Sequence, residues 1–455
     1  MTETDSASIA KAATAPRASW REGWAVYLQR RVLIVLLLGF SSGLPLALSG
    51  STLQVWMREA GVDLGTIGLF ALVGTPYTLK FLWAPLTDAL HVPFFTRTFG
   101  RRRGWLLFSQ LLLIVAILLL ALTDPARSPL FVALGALLVA AMSSTQDIVV
   151  DAFRVESLPE SEQAAGMASY VAAYRIGMLV STAGALFLVS AFESGGLPRT
   201  AAWMWGYVAM AALVLIGTVT ALAATEPAQS AEAEAATSAE SAFMRVLHAA
   251  VGAFSEFLGR RDAFAALAFV VLFKFTDAFS GTMTAPFVID LGFSRNDYAA
   301  IVKGVGLAAT LIGGFAGGFV ARRYSLAASL WIGGVLQAVA NLSFSWLAMV
   351  GVNQWALAFA ITAENFTSAI GTVIFVAYLS ALCQNPLHTA TQYALLTALA
   401  AVGRTYLSSG AGYVAKATGW PLFFAICVVV AVPSLILLAW LQRRGHFEEL
   451  GPVRV

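Results

Sequence analysis

Charged side chains are scarce in this chain. Asp, Glu, Lys and Arg make up only 12% of its 455 residues, compared with roughly 25% in soluble domains. The net charge is only +3 and no block of basic residues is present, so no nucleic-acid partner is expected. The sequence also lacks a sizeable polar domain, which counts against a membrane-bound sensor. With 59% hydrophobic residues and a mean hydropathy of +0.77, the composition predicts a polytopic all-α membrane protein.

Cysteine and histidine are equally rare. The two cysteines, Cys383 and Cys427, fall in or near apolar segments and form no CxxC motif. The histidines fall in predicted loops or tails, and neither a Ser/His/Asp set nor a metal-spaced set lies in an apolar segment. We therefore expect no enzyme active site, no metal and no cofactor. The histidines concerned are His91, His248, His388 and His446.

Apolar segments of about twenty residues, each long enough to cross a bilayer, dominate the chain. They form two groups of six, which predicts about twelve transmembrane helices. The spans are Val32–Leu53, Gly65–Leu86, Trp105–Leu122, Pro129–Asp151, Ala165–Phe187, Ala201–Ala223, Ala263–Met283, Tyr298–Val320, Leu326–Met349, Gln354–Leu382, Ala390–Val414 and Trp420–Leu441.

A polar break between the two groups predicts five regions. These are an N-terminal tail with an interfacial segment (1–31), a first bundle (32–224), a linker (225–260), a second bundle (261–442) and a C-terminal tail (443–455). Apolar residues share one helical stripe over Phe243–Leu258, so the linker should contain an amphipathic helix on the membrane surface.

Basic residues concentrate on one side of the predicted membrane topology. Because Lys and Arg favour cytoplasmic loops, this asymmetry places both termini in the cytoplasm. Segments on that side include Arg30, Arg31, Arg97, Arg101, Arg102, Arg103, Arg154, Arg322, Arg323, Arg443 and Arg444, whereas the opposite side holds Arg58, Arg127, Arg199, Arg295 and Lys416.

Several ionisable residues nevertheless lie inside the apolar spans. A charge in hydrocarbon costs about 2.5–3.5 kcal/mol on insertion scales, so such residues usually face a wet cavity inside a bundle. This pattern predicts a transporter. The residues are Lys80, Asp147, Arg175, Lys274, Asp277, Lys303, Glu364 and Arg404.

The two-bundle plan resembles that of the major facilitator superfamily, in which substrate binds between two halves near the midplane. The segment from Asp88 to Arg101, Arg102 and Arg103 resembles the superfamily's signature loop, although Ala84 replaces a usual Gly and about ten residues are inserted. The resemblance implies a structural gate role for these residues; a basic cluster that stops membrane transfer is the alternative. Asp151 and Arg154 are assigned the same role.

Seven local strings, in this order and spacing, resemble the AmpG family of muropeptide permeases. They are Gly39–Leu48, Thr52–Met57, Lys80–Leu86, Gly100–Leu107, Thr145–Ala152, Tyr174–Ser181 and Ala400–Arg404. The resemblance implies a proton-dependent bacterial inner-membrane importer of anhydromuropeptides. Longer family members carry two further C-terminal helices, and the family shares ancestry with acetyl-CoA transporters, so a carrier of another bulky anion stays open. We expect a monomer.

Placed on the superfamily scheme, Lys80, Arg175, Lys303 and Arg404 fall one on each of the helices between the halves. Arg175 and Arg404 are predicted to bind substrate carboxylates, because guanidinium groups bind carboxylates bidentately. Helix–helix ion pairs are the alternative. Lys80, Lys274 and Lys303 are further candidates for substrate contact.

Proton coupling requires a carboxylate whose proton affinity changes with its surroundings. The candidates are Asp147, Asp277 and Glu364, and Glu364 is preferred because its own helix has no basic residue. Lys274 and Asp277 are three residues apart and could instead pair with each other.

Sugar contacts need aromatic faces and amide or hydroxyl groups. Packing is the alternative for each candidate residue. The candidates are Gln54, Trp56, Tyr77, Gln146, Tyr174 and Asn365.

Overall fold

The computed structural model describes residues 26–227, 244, 258–259, 261–383 and 389–450, without a few side chains such as that of Asp88. Within these ranges the secondary structure is helical, with no strand. The N-terminal tail to residue 25 and nearly all of the predicted amphipathic helix over Phe243–Leu258 lie outside the described residues.

Twelve successive helices, α1 to α12, account for every predicted span. α1 comprises Arg30–Leu48 and Ser51–Glu59, and α2 comprises Leu64–Leu69, Phe70–Gly74, Thr75–Leu79, Lys80–Leu82 and Ala84–Ala89. α3 is Arg101–Ala121 and α4 is Pro129–Ser157. α5 comprises Glu160–Leu179, Val180–Gly184 and Ala185–Ser194, and α6 is Arg199–Ala223.

The second group follows the same order. α7 is Ala263–Asp290, α8 comprises Arg295–Asp297, Tyr298–Val305 and Gly306–Arg323, and α9 is Leu326–Val350. α10 is Gln354–Leu382, α11 comprises Thr389–Tyr406, Leu407–Gly410 and Ala411–Thr418, and α12 is Trp420–Arg443. The first six helices pack on one another and so do the last six, forming two bundles.

Because successive helices are antiparallel, the bundles share two faces. We call the face at Ala223, Ala263 and Arg443 the linker face, and the face at Glu59, Asp290 and Thr418 the far face. Ten of the helices in the described ranges are long and apolar enough to cross a membrane, by length and composition. α2 and α11 are built from shorter consecutive segments.

The breaks in α2 and α11 have local causes. In α2, Pro76 starts a new helical segment, because proline has no N–H for the helix ladder. In α11, the hydroxyls of Ser408 and Ser409 donate to the carbonyls of Arg404 and Tyr406. Such side-chain bonds compete with regular helical pairing.

Glycine allows α1 and α5 to approach closely. A Cβ on Gly43 would lie 2.1 Å from the carbonyl oxygen of Tyr174, and one on Gly177 would lie 2.3 Å from that of Phe40. Small residues at helix contacts are a general means of association in bilayers. This contact fixes the part of α5 on both sides of Arg175.

We expect Gly43→Ala to destabilise the first bundle by about 1–3 kcal/mol, as overpacking usually does. The measurement is the midpoint of thermal unfolding in detergent. Gly314→Ala is the matched control, because a Cβ on Gly314, also inside a helix, meets no atom within 4 Å. Equal midpoints for the two variants would contradict the close-contact explanation.

Candidate functional site

A cavity of about 600 Å³ lies between the two bundles. α1 and α5 line it from the first bundle, and α7, α8, α10 and α11 line it from the second. Its polar and charged lining residues are Ser51, Gln54, Arg175, Thr182, Thr282, Thr284, Tyr298, Lys303, Thr310, Glu364, Asn365 and Arg404. The charged residues are thus three cations and one carboxylate, an arrangement that suits an anion.

Arg175 and Arg404 reach the same cavity from opposite bundles. Arg175 lies on α5 shortly before the π-helical turn Val180–Gly184, and Arg404 lies on α11 shortly before the 3₁₀ turn Leu407–Gly410. Both side chains are exposed to the cavity. None of the ion pairs between described residues involves either arginine, so both guanidinium groups can bind a ligand.

Glu364 and Asn365 form the acidic side of the cavity. The Asn365 Nδ2 donates to Glu364 Oε2 at 2.8 Å, and the Thr310 hydroxyl donates to Asn365 Oδ1 at 3.2 Å. The amide therefore orients the carboxylate relative to α8. Lys303 lines the same cavity, with its Nζ 5.4 Å from the ring centroid of Tyr298.

Lys274 and Asp277 pair with each other and do not line the cavity. The Lys274 Nζ lies 3.2 Å from Asp277 Oδ2 and 2.8 Å from the Thr372 hydroxyl. The Ser368 hydroxyl donates to Asp277 Oδ1 at 2.8 Å. This is the pairing that the three-residue spacing allows, and it links α7 to α10.

A second polar cluster is buried inside the first bundle, outside the cavity lining. Asp147 is only 6% exposed, and its Oδ1 has no hydrogen-bond partner among the described residues. Lys80 is among the charges that act on this carboxylate. Gln146 donates to the Ser42 hydroxyl at 3.3 Å. Tyr77 and Tyr174 lie in the same region, since both interact electrostatically with Asp147.

The two candidates for sugar contact at the end of α1 lie in different environments. Gln54 lines the cavity, whereas Trp56 is 4% exposed and stacks on Trp203 with ring centroids 5.5 Å apart. Tyr207 adds a second ring contact to Trp56 at 5.1 Å. Trp56 is thus a packing residue in this structure, the alternative that the sequence left open for it.

The basic residues at the start of α3 make contacts within the first bundle. Arg101 and Arg102 both pair with Glu156 at the end of α4, and the Arg101 Nη2 lies 3.0 Å from Glu156 Oε2. Arg103 donates to the carbonyls of Ala221 and Leu222. The Glu226 carboxylate accepts from the backbone N–H groups of Arg102 and Arg103 at 2.7 and 3.0 Å, and so neutralises the positive end of α3.

The sequence did not predict Glu156 and Glu226 as partners of these arginines. It predicted a gate role for Asp88, whose side chain lies outside the described part of the structure. The available signal was their position, because Glu156 is in the last turn of α4 and Glu226 directly follows α6. Asp151 and Arg154 form a weaker pair, with Oδ1 and Nη2 3.8 Å apart.

A third set of charges joins the two bundles at the far face. Arg58 pairs with Asp290, and Arg295 pairs with both Glu59 and Glu193. Lys416 lies 3.4 Å from Asp63. The Thr66 hydroxyl and the Lys416 ammonium lower the pKa of the Asp63 carboxyl, so this carboxyl stays ionised at neutral pH. From the sequence, Arg58, Arg295 and Lys416 are only basic residues of the loops on one side of the membrane, and their acidic partners are not predicted.

The sequence of this chain matches those of known proteins over most of its length. The sequence profile of the Major Facilitator Superfamily matches residues 35–406. The anhydromuropeptide permease of Escherichia coli K12 is 40% identical over 414 residues, which cover 91% of this chain and 80% of that protein. The chain belongs to the AmpG-type branch of the Major Facilitator Superfamily.

Other matches agree with this assignment. A protein of Rickettsia felis named putative transporter AmpG 4 is 33% identical, over 92% of this chain and 98% of its own length. The crystal structure of the nucleoside transporter NupG superposes with a TM-score of 0.68 at 13% identity, covering 92% and 100% of the two chains. A transporter of the POT family gives 0.66 at 12% identity, covering 91% and 96%.

The structural similarities to NupG and to the POT-family transporter establish the fold alone. Together with the family assignment they identify a multi-pass membrane transporter with two six-helix bundles and not an enzyme. The predictions of fold and family are confirmed. The roles of individual site residues stay predictions.

Proposed function

We propose that this protein imports anhydromuropeptides across a bacterial inner membrane by alternating access, driven by the proton gradient, for peptidoglycan recycling. It acts as a monomer in the bilayer. The cavity carries this proposal, because Arg175, Lys303 and Arg404 line it together with one carboxylate, Glu364, in a chain that is 40% identical to the E. coli anhydromuropeptide permease. The stem peptide of such a ligand bears carboxylates that guanidinium groups bind well.

The charges divide into two proposed roles. Arg175 and Arg404 bind the peptide carboxylates, one from each bundle, so that the ligand bridges the two halves. Glu364 carries the coupled proton, because it is the carboxylate that shares the cavity with the ligand and Lys303. Its orientation by Asn365 supports this role. Asp147 and Asp277 lie outside the cavity lining and are secondary candidates.

Uptake by proteoliposomes tests the function. With an imposed proton gradient, labelled disaccharide tripeptide, N-acetylglucosaminyl-anhydro-N-acetylmuramyl tripeptide, should accumulate above its equilibrium level, and a protonophore should abolish accumulation. Labelled acetyl-CoA is supplied in parallel. Accumulation of acetyl-CoA without the muropeptide would instead establish the carrier of another bulky anion.

Glu364→Gln should abolish gradient-driven accumulation of the muropeptide and retain exchange between internal and external ligand. The amide keeps the shape and the contact with Asn365 but cannot bind and release the proton. Asp124→Asn, in the loop after α3, is the control and should transport normally. Loss of exchange together with accumulation, or retention of both, would remove Glu364 as the proton carrier.

Arg175→Ala should weaken binding of the disaccharide tripeptide by roughly ten- to a hundredfold, the usual range for a lost hydrogen bond to a charged group. Binding of the bare disaccharide, which lacks the peptide carboxylates, should change little. Calorimetric titration of the purified protein measures both affinities. Arg127→Ala, in an exposed loop, is the control. Equal weakening for the two ligands would exclude a contact with the carboxylates of the peptide.

A further inference from the structure

A short helix, Phe95–Phe99, lies in the loop between α2 and α3 at the linker face. The loop is docked tightly on the start of α3. A Cβ on Gly104 would lie 2.8 Å from the carbonyl oxygen of Phe95, and the Trp105 Nε1 donates to the carbonyl of Leu90 at 2.9 Å. The side chains on the outside of this loop therefore have fixed positions relative to α3.

Phe94 precedes this short helix in an unfavourable backbone conformation. Its φ is 68° and its ψ is −55°, and the Phe95 N–H donates to the carbonyl of Pro93 at 2.8 Å across it. This is the γ-turn of positive φ, which is rare and strained, and a bulky residue there is an outlier. The Phe94 side chain is nevertheless 70% exposed, so packing within the protein does not explain it. Strained residues of this kind are common where a ligand is bound.

A series of aromatic rings connects Phe94 to the outer face of α3. The ring centroids of Phe94 and Phe95 are 5.6 Å apart, and the ring of Phe95 lies 5.9 Å from that of Phe108. Trp105 adds a further contact to Phe108 at 5.9 Å. From Phe108, apolar side chains that neighbouring helices leave exposed continue along α3 at a spacing of three or four residues, which is one helical face. They are Leu111, Val115 and Leu119. In a chain that crosses a bilayer this stripe faces lipid, and Phe94 lies at its linker-face end.

Basic side chains lie on the other side of Phe94, around a surface cavity of about 720 Å³ that Phe94 also lines. The titratable residues in its lining are His91, Arg97, Arg101 and Glu226. Glu226 already accepts from backbone N–H groups of α3, and Arg101 pairs with Glu156. Arg97 is exposed and takes part in none of the ion pairs between the residues that the structure describes. Its guanidinium is therefore available to an anion.

An exposed aromatic ring beside an exposed arginine matches an anionic phospholipid better than a free anion. A headgroup phosphate accepts strong hydrogen bonds from a guanidinium, whereas only an attached acyl chain gains from contact with the aromatic and apolar stripe. Aromatic and basic residues together are typical of segments that lie in a membrane interface. The loop follows directly on two bilayer-crossing helices, so lipid headgroups surround it.

We propose that the loop between α2 and α3 binds one anionic phospholipid of the surrounding leaflet. The headgroup phosphate occupies the cavity lined by Arg97 and His91, and the acyl chains run along Phe94 and the exposed stripe of α3. Contact with lipid offsets the strain at Phe94. This site lies on the outer surface of the first bundle, apart from the central cavity, and does not depend on which solute the protein transports.

Quenching by spin-labelled lipids tests the site in the full-length protein reconstituted in phosphatidylcholine vesicles. Cys383→Ser and Cys427→Ala remove the native thiols, and a bimane fluorophore is attached through Thr98→Cys, at an exposed position next to Arg97. A nitroxide-labelled acyl chain is carried either by phosphatidylglycerol, which is anionic, or by phosphatidylcholine, which is zwitterionic. The ratio of the two quenching curves measures the preference of the site for an anionic headgroup.

Phosphatidylglycerol should quench at a lower membrane fraction than phosphatidylcholine. Arg97→Gln should reduce this preference about fivefold, the usual contribution of one arginine near an anionic surface. Arg322→Gln is the matched control and should leave the preference unchanged, because Arg322 is an exposed arginine at the same face but lies on α8 in the second bundle. Equal quenching by the two lipids, or an equal loss in the two variants, would overturn the headgroup site.

Phe94→Gly separates contact with lipid from a role in folding. Glycine adopts a positive φ without strain, so the midpoint of thermal unfolding in detergent should stay the same or rise. Quenching by both lipids should decrease, because the loop loses its apolar contact with the acyl chains. Phe94→Leu keeps an apolar side chain and should retain the quenching. A lower midpoint with unchanged quenching in Phe94→Gly would make Phe94 a packing residue and contradict the proposal.

Inorganic phosphate distinguishes a lipid from a soluble anion. When it replaces chloride at matched ionic strength, the preference for phosphatidylglycerol should persist, because free phosphate has no acyl chain to contact Phe94. Loss of the preference would mean that the cavity binds a soluble phosphate, and the lipid site would have to be abandoned.

Discussion

Hydrocarbon does not solvate charge, and this one constraint organises the polar residues of the protein. Each ionised group within the bilayer needs water, an opposite charge or several hydrogen bonds. Three environments meet that need. Arg175, Arg404 and Glu364 face a cavity, Lys274 and Asp277 pair within one bundle, and Arg295 pairs across the two bundles. These environments are a solvated cavity, a contact inside one bundle and a contact between the bundles.

The same constraint explains why the cavity cations have no ion-pair partner among the described residues. A guanidinium already paired with a carboxylate would have to give up that pair before it could bind a ligand. Arg175 and Arg404 keep their donors free because cavity water can solvate them. At the far face the situation is reversed, since Arg295 is almost fully buried and needs both Glu59 and Glu193.

Much of the fold could be predicted from the sequence because membrane helices are local features. Length and hydropathy predicted all twelve, and the spacing of Lys274 and Asp277 allowed the pair that they form, which the sequence left open beside roles in transport. Contacts between distant positions could not be read in the same way. Arg58 and Asp290 lie far apart in the chain, so nothing local reveals that they meet. For Trp56 the sequence left both alternatives open for a related reason, since a tryptophan near a helix end has the same local signal whether it binds sugar or packs on Trp203.

The positions of the cavity arginines relate the cavity to the contact between the bundles. Arg175 and Arg404 are each followed within a few residues by an irregular turn, and beyond that turn lies a segment at the far face. An anion held by both arginines would fix α5 and α11 directly beside these two turns. Differential contact with two conformations is what allows a ligand to shift their populations. The short distance along each helix from arginine to turn therefore provides a direct physical route from an occupied cavity to the far-face contact between the bundles.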